Sequence, residues 1–448
     1  MLAAFALLLA VNDEASLRSA ASRAGVVQLA AGVIEVDKPV MVASGVEIRG
    51  NSKGSTIVMS ARFQGKALLA IDGVGGVRLT SFRIKGNRAD MRSDKGLPPD
   101  DVPFADFYGD NGVLIRRCKD VSLTGIEFTR IRSFAVLANA SAGLKLSGVR
   151  VEDSGTLGPK GVNNTTGGVL FEEGASSFEV RGSTFLRIAG NAIWTHSNYK
   201  SPRNADGLII GNTITEVARD AIQAGHATRI RVEKNRGSAI GYPVAHVDPY
   251  ANPVAVDTAG DVDKSIYIDN HFTEINGHCI DLDGFHDGEV RGNTCVNRKA
   301  IEAYPHLHGG IVMGNNNIDM TSEKVTIAGN TVEGFAYGGL FLIGSGHVVE
   351  NNRFLDINRA HCTGDMTRAR CNYAPEQPGL LRSGIYLGGN GGRPAKTEGN
   401  VIRGNVITGF GMDRWCVEAG PGVDLAKSTL AGNRCVATPA RTQTAPRR

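Results

Sequence analysis

An asparagine that returns at a nearly constant interval constrains this chain more than any other feature in it. From about residue 170 onward an apolar strand phrase leads to a turn Asn, as in GNTI at Asn212, EKNRG at Asn235, IDNHF at Asn270 and GNTC at Asn293. The series continues with GNTV at Asn330, ENNRF at Asn352, GNVI at Asn405 and GNRC at Asn433. The shortest intervals are 22 and 23 residues, and the longer ones contain loop insertions. Self-similarity at a fixed period is the mark of repeat architectures, and no helical period accompanies it. Three short alternating strands plus turns fill a coil of that length, so each interval predicts one turn of a parallel β-helix, an all-β solenoid. Stacking then sets successive Asn side chains about 4.8 Å apart, where their amides hydrogen-bond into a ladder. The recurring Asn is therefore a fold residue. Earlier coils fill its slot with Ser183, Val149, Ile126 and Phe82, so the ladder begins midway.

Composition agrees with this and narrows the partners. In 448 residues, 57 Gly, 6% aromatic and 21% charged residues describe a folded, Gly-rich chain that is neither membrane-spanning nor disordered. A net charge of +4 with interspersed signs, and no isolated Lys/Arg cluster, argues against nucleic acid as a partner. The opening MLAAFALLLAV has the length of a signal-peptide core and is too short to cross a bilayer, which predicts a secreted or periplasmic protein. Seven cysteines suit export. HCIDLDGFHDGEVRGNTC and WCVEAGPGVDLAKSTLAGNRC share one design, which predicts bridges Cys279 to Cys295 and Cys416 to Cys435. Cys362 and Cys371 bracket a polar loop and form a third pair, leaving Cys118 free.

The stretch VVQLAAGVIEVDKPVMVASGVEIRGNSKGSTIVM, preceded by the helical pattern DEASLRSAASRAG, resembles the opening of the pectate lyase-like superfamily of right-handed parallel β-helices. The resemblance covers nearly the whole chain and implies a right-handed helix whose N-terminal end is capped by that short helix. The expected organisation is a signal-peptide remnant over 1–11, a cap and first coils over 12–60, the β-helix with inserted loops over 61–440, and a disordered tail over 441–448. Lyases, hydrolases, epimerases and adhesins share the fold, so activity has to be argued from the site.

The resemblance also implies that the working cleft lies outside the first sheet, flanked by loops. Period-two alternation in GVLIR, AVLAN, GVLFE, AIWTH, AIQAG, VAVD, IDLD, IVMG, LFLI and IYLG points Val113, Val136, Val169, Ile193, Ile222, Val254, Ile280, Ile311, Leu340 and Ile385 inward. The outward positions include Glu172, Trp194, His196, Gln223, Asp257, Asp281, Asp283, Phe341 and Tyr386. Asp257, Asp281 and Asp283 form the expected centre. Crowded carboxylates either bind a hard cation such as Ca²⁺ or keep one carboxyl protonated, and both outcomes serve chemistry. Loops deliver Lys200, Arg203, Tyr250, Tyr304, His306 and His308 beside the strip, and FHDG adds His286. Asp257, Asp281, Asp283, His196, His286 and Tyr304 are the candidate catalytic groups. Trp194, Gln223, Glu172, Lys200, Arg203, His306, His308 and Tyr250 are the candidate substrate contacts. Zinc is disfavoured, because His306-x-His308 has no third ligand at a diagnostic spacing.

The resulting expectation is a carbohydrate-active protein with a polysaccharide as partner. Asp281 directly follows the inward apolar residue, the position at which pectate lyases place a Ca²⁺-ligating Asp, so the resemblance implies a lyase acting on a uronate-containing polysaccharide. A glycoside hydrolase or an epimerase on the same carboxyls stands beside it, as does a non-catalytic adhesin.

Overall fold

The computed structural model describes residues 10–87, 92–250, 252–306, 308–315, 320–368, 370–372, 377, 379–389 and 395–438. Most of the apolar opening segment and the whole of the 441–448 tail lie outside the described residues. The chain divides into two compact units, residues 1–236 with 245–248, and residues 237–244 with 249–448.

In the first unit, Asp13 caps helix α1 (Glu14–Ala21): its carboxylate accepts from the Ser16 amide at 2.7 Å, and the Ser16 hydroxyl accepts from the Asp13 amide. The helix buries Leu17 and Ala21, as the helical pattern in the sequence predicts. Coils follow, each made of three strands that pair in parallel with the equivalent strands of the coils before and after. The inward residues of the first sheet run Leu69, Val113, Val136, Val169, Ile193 and Ile222 in direct register. The second sheet stacks Leu79, Leu123, Leu146, Val180, Ile209 and Val232. The third stacks Ile57, Ile84, Phe128, Val151, Phe185 and Ile214. All of these are buried, so a one-residue slip anywhere would turn core residues out to solvent.

The second unit repeats the plan. Its first sheet aligns Val256, Ile280, Ile311, Leu340, Ile385 and Val417. Its second aligns Tyr267, Val290, Ile327, Val349, Ile402 and Leu430, and its third aligns Phe272, Cys295, Val332, Phe354, Ile407 and Cys435. One sequence expectation needs correction. Val254 pairs with His278, and it is Val256 that pairs with Ile280. The strand Val254–Asp263 reads V-A-V-D at its start, so alternation fits either Val equally well. The correction sets Asp257 rather than Ala255 beside Asp281.

The Asn ladder is present in both units. In the first, the Asn212 side-chain amide donates to Asn235 Oδ1 at 2.9 Å. In the second, Asn270 donates to Asn293, Asn293 to Asn330, Asn330 to Asn352, Asn352 to Asn405 and Asn405 to Asn433, all at 2.8–3.0 Å. Each receiving oxygen also accepts the backbone N–H of the donating Asn, and the Nδ2 groups of Asn293, Asn330, Asn352 and Asn405 give their other hydrogen to a strand carbonyl, as Asn330 does to Val290 at 2.9 Å. The Gly that so often precedes the Asn has a conformational cause. Gly211, Gly292, Gly329, Gly404 and Gly432 are left-handed with φ of 62–65°, and where Gly is missing, Lys234, Asp269 and Asn351 adopt φ of 53–56°.

The three expected disulfides are formed, with Cα separations of 5.8, 5.5 and 5.7 Å for Cys279–Cys295, Cys362–Cys371 and Cys416–Cys435, and Cys118 is buried outside any bridge. Two of the bridges replace a packing rule. Gly310, Gly339 and Gly384, each just before an inward first-sheet residue, face the third-sheet core residues Val332, Phe354 and Ile407. A Cβ on Gly339 would lie 2.5 Å from the Phe354 ring, and one on Gly384 would lie 2.6 Å from Ile407. Cys279 and Cys416 occupy the same slot opposite Cys295 and Cys435, and a covalent bond takes the place of the large apolar side chain.

Removing an interior rung leaves donors and acceptors buried without partners, whereas Asn433 ends the series and is only half-buried. Asn330→Leu is therefore expected to destabilise by about 2–4 kcal/mol, and Asn433→Leu by clearly less. Equal shifts in chemical denaturation midpoints would contradict the ladder's role.

Candidate functional site

Inward packing of Val256, Ile280, Ile311, Leu340, Ile385 and Val417 turns their successors outward. The column so formed on the second unit's first sheet reads Asp257, Asp281, Val312, Phe341, Tyr386 and Glu418. Its first end is strongly acidic. Asp257 and Asp281 are neighbours across adjacent strands, and Asp283 lies two residues further along. Asp257 and Asp283 are buried, while Asp281 stays partly exposed.

The three carboxyls are not equivalent. Asp283 Oδ1 accepts from the backbone N–H of Gly314 and from that of Asn315 at 2.9 Å, which ties its side chain to that turn. The Asp283 amide in turn donates to Asp281 Oδ1 at 3.1 Å. Burial holds the Asp281 pKa well above the ordinary carboxylate range, the charges of Asp283 and Asp257 raise it further, and a hydrogen bond from its protonated carboxyl to Asp283 adds to the effect. Below them, Tyr267 is fully buried and hydrogen-bonds Thr258 Oγ1 at 2.8 Å, its ionisation pushed up by burial and by Asp257 and Asp281. The cluster is thus arranged to carry a proton. Among the described residues no group of three or more His, Cys, Asp or Glu side chains is placed to hold a metal ion.

The remaining candidates of the second unit have partners of their own. His286 sits between Asp261 at 2.8 Å and Asp287 at 2.9 Å, and the Asp261 hydrogen bond raises its pKa despite partial burial. Tyr304 is buried, donates to Glu274 at 2.7 Å and accepts from the Lys299 amide at 3.0 Å. The His306 amide donates to Asn276 Oδ1 at 2.8 Å. His308 packs edge-on against His278 at 5.2 Å and lies 5.7 Å from the Tyr337 ring, and burial pushes its pKa down to about 3. Tyr250 is 95% exposed.

In the first unit the alternation places the candidates as expected, but an element absent from the sequence reading covers them. The outward columns read Ala70, Leu114, Leu137, Leu170, Trp194 and Gln223, and beside them Asp72, Arg116, Asn139, Glu172 and His196. The inserted helix α2 (Phe104–Phe107) lies on them, packing Phe104, Ala105 and Tyr108 over Leu114, Leu137, Leu170 and Trp194. Trp194 is accordingly 6% exposed, with Phe104 edge-on at 4.9 Å, so it does not present the open apolar platform expected of it. Glu172 is fully buried rather than open to a substrate. It accepts from the amides of Phe104 and Ala105 at 2.7 and 2.8 Å and from Asn139 at 3.0 Å, and burial lifts its pKa to about 7. His196 packs against Phe104 and Trp194, its Nδ1 is buried without a hydrogen-bond partner among the described residues, and burial lowers its pKa to about 4. Gln223 accepts from Asn191 at 2.8 Å, Lys200 pairs with Asp101, and Arg203 donates to the Ala227 carbonyl.

Sequence reasoning passed over Glu418, which closes the acidic column at its far end. Arg382 binds it with two parallel hydrogen bonds of 2.9 and 2.7 Å, and Ser383 adds a third at 2.5 Å. The signal was available: HCID and WCVE each read Cys, inward apolar, outward acid.

Known proteins agree on the architecture. Residues 254–438 match the family model described as right handed beta helix region. No curated protein matches the sequence. Among solved structures, the surface adhesin PfbA of Streptococcus pneumoniae superposes with a TM-score of 0.56 at 12% identity, over 77% of this chain and 87% of that one. The mannuronan C-5 epimerase AlgE4 A-module of Azotobacter vinelandii gives 0.53 at 12% identity, over 96% of both. Each unit is a right-handed parallel β-helix. The catalytic unit of the GH87 α-1,3-glucanase from Streptomyces thermodiastaticus gives 0.52 at 14% identity, over 96% of this chain and 67% of that one. At such identities the likeness is one of fold.

Glu172 supplies a pH dependence. Its folded pKa of about 7 lies above the ordinary 4.5, so the folded state holds the extra proton between those values. Its contribution is fully present below pH 4.5 and is lost as pH rises through 7, by up to ~3 kcal/mol. The melting temperature is expected to fall between pH 5 and 8, and to fall less in Glu172→Gln. Parallel pH profiles would show that Glu172 is not the group responsible.

Proposed function

We propose that this protein cleaves glycosidic bonds in a polysaccharide, with Asp281 as the group that gives a proton to the leaving oxygen and Asp257 as the second carboxylate. The observation that carries this reading is Asp281, a partly exposed residue whose carboxyl pKa is raised well above the ordinary range by burial and by Asp283 and Asp257. A general acid needs its proton retained toward neutral pH, and a carboxyl pushed away from its neighbours' ionisation meets that need. The corrected register supports a particular course. Asp257 and Asp281 stand on adjacent strands about 4.8 Å apart, as neighbours facing the same side, which is how a two-carboxyl retaining glycosidase places its pair. Phe341, partly exposed three coils beyond Asp257 in the same column, offers a ring face for a sugar.

Elimination from a uronate is the second reading, favoured by the same proton, because a neutral carboxyl can hydrogen-bond to and hold a substrate carboxylate. Three disulfides suit an oxidising compartment, and we place the activity outside the cytosol on that ground. Among the described residues no helix is long and apolar enough to cross a membrane.

The test is a panel of neutral and uronate polysaccharides, followed by reducing ends and by absorbance of unsaturated product. Hydrolysis gives the first signal alone, and elimination gives both. Asp281→Asn is expected to lower the rate about 10²–10⁴-fold with little change in melting temperature. Full activity in that variant removes Asp281 from the chemistry, and an inert natural protein that still binds polysaccharide means a binding protein.

A further inference from the structure

The second unit holds a cavity of about 620 Å³ that the acidic column does not use. Its walls come from the segments that follow third-sheet strands on successive coils: Arg298 to Glu302 after Thr294–Val296, Asp356 to His361 at the end of and after Arg353–Ile357, Phe410 after Val406–Gly409, and Thr438 after Arg434–Ala437. Arg370 closes it from the loop bridged by Cys362 and Cys371. The walls are built in advance. Asn358, fully buried, accepts from the Cys362 amide at 2.8 Å and donates to the carbonyls of Cys362 and Phe410, so one side chain fixes both the bridged loop and the aromatic wall.

The lining is cationic on balance. Arg298, Arg359 and Arg370 stand against Glu302 and Asp356, three positive groups to two negative ones. Arg359 is committed, with Asp356 at 3.7 Å and the Lys299 carbonyl at 3.0 Å, and Arg370 donates to the Ile301 carbonyl at 3.2 Å. Arg298 has neither a hydrogen bond nor an ion pair among the described residues, although it lines the cavity and lies on the surface. In the same lining, His361 and Phe410 lie 4.5 Å apart with their rings tilted by 33°. Burial lowers the His361 pKa and Arg368 and Arg359 lower it further against Asp356, so His361 stays neutral and acts as an apolar ring in a positive field. A free guanidinium, one surplus positive charge and an aromatic wall, in a volume within the range of small-ligand sites, describe a site for a ringed monoanion.

We propose that this cavity binds one acidic sugar unit, its carboxylate or sulfate on Arg298 and its ring against Phe410 and His361. The preference for an anion rests on the cavity alone, whereas the sugar class rests on the polysaccharide reading above. The site is separate from Asp281 and serves to hold an acidic chain while another part of it is cleaved.

Calorimetric titration with a glucuronate trisaccharide, the equivalent glucose trisaccharide and inorganic sulfate tests it. The acidic trisaccharide is expected to bind, with Kd weakened about tenfold or more in Arg298→Ala and in Phe410→Leu, and unchanged in Asp281→Asn. The glucose trisaccharide is expected not to bind. Among the described residues Arg298 makes no hydrogen bond or ion pair, so its variant is expected to keep the melting temperature. Equal binding of both trisaccharides, binding of sulfate without the acidic trisaccharide, or affinity unchanged in both cavity variants overturns the proposal. Binding abolished by Asp281→Asn also overturns it, by placing the ligand on the acidic column. Cleavage with no trisaccharide binding overturns the cavity alone, and binding with no cleavage leaves it standing while removing the catalytic reading.

Discussion

A buried side-chain amide has two donors and an acceptor to satisfy, and in this protein only the neighbouring coils can satisfy them. An interior ladder Asn such as Asn330 accepts from the backbone and the side chain of the Asn one coil before it, and it donates to the Asn one coil after it. No rung is complete alone, so forming one coil prepares the next, and the cost of burying the amide becomes a register lock. The apolar columns add stability without that specificity, since Val, Ile and Leu fill one another's places at small cost. In the coils that carry it, the amide ladder sets which residue sits above which, and with it the alignment of the acidic column.

That alignment turns a list of acidic residues into a site. Asp257, Asp281 and Asp283 are scattered over 27 residues of chain, yet stacking leaves them sharing one patch of sheet. The carboxyls are treated unevenly: Asp283 receives two amide hydrogens, and the pKa of Asp281 is raised by its burial and by its neighbours. The first unit meets the same geometric situation differently. There α2 covers the outward column, and a glutamate that the alternation points at solvent becomes an interior cap for the covering helix.

The parts of the structure that were legible in the sequence are those specified locally. Asn212 to Asn433, the inward apolar columns and the three disulfides each follow from a short repeated phrase, and the two Cys designs on different coils could be read against each other. Failures fall where local pattern is degenerate or silent. V-A-V-D supports two registers, and only the neighbouring strand decides between Val254 and Val256. The insertion carrying Phe104 and Tyr108 has no period, so nothing in it announces that Trp194 and Glu172 lie beneath. Tyr304, His286 and His308 meet Glu274, Asp261 and His278 on strands elsewhere in the sequence, and contacts of that kind are invisible to pattern. Glu418 was legible by analogy with Asp281 but sits on a strand of three residues, too short to draw notice by alternation.

The intervals between rungs carry one more implication. Asn330 and Asn352 are 22 residues apart and Asn352 and Asn405 are 53 apart, yet both steps close with the same pair of hydrogen bonds. The spine does not register how much chain passes between its contacts. Segments can lengthen, shorten or be exchanged at such points with the columns above and below undisturbed, and loop closure charges little for length. Variation within a lineage of such chains is therefore free to accumulate in the excursions, where ligands are met, while the scaffold carrying them stays the same, which makes each excursion a natural unit for grafting a new specificity.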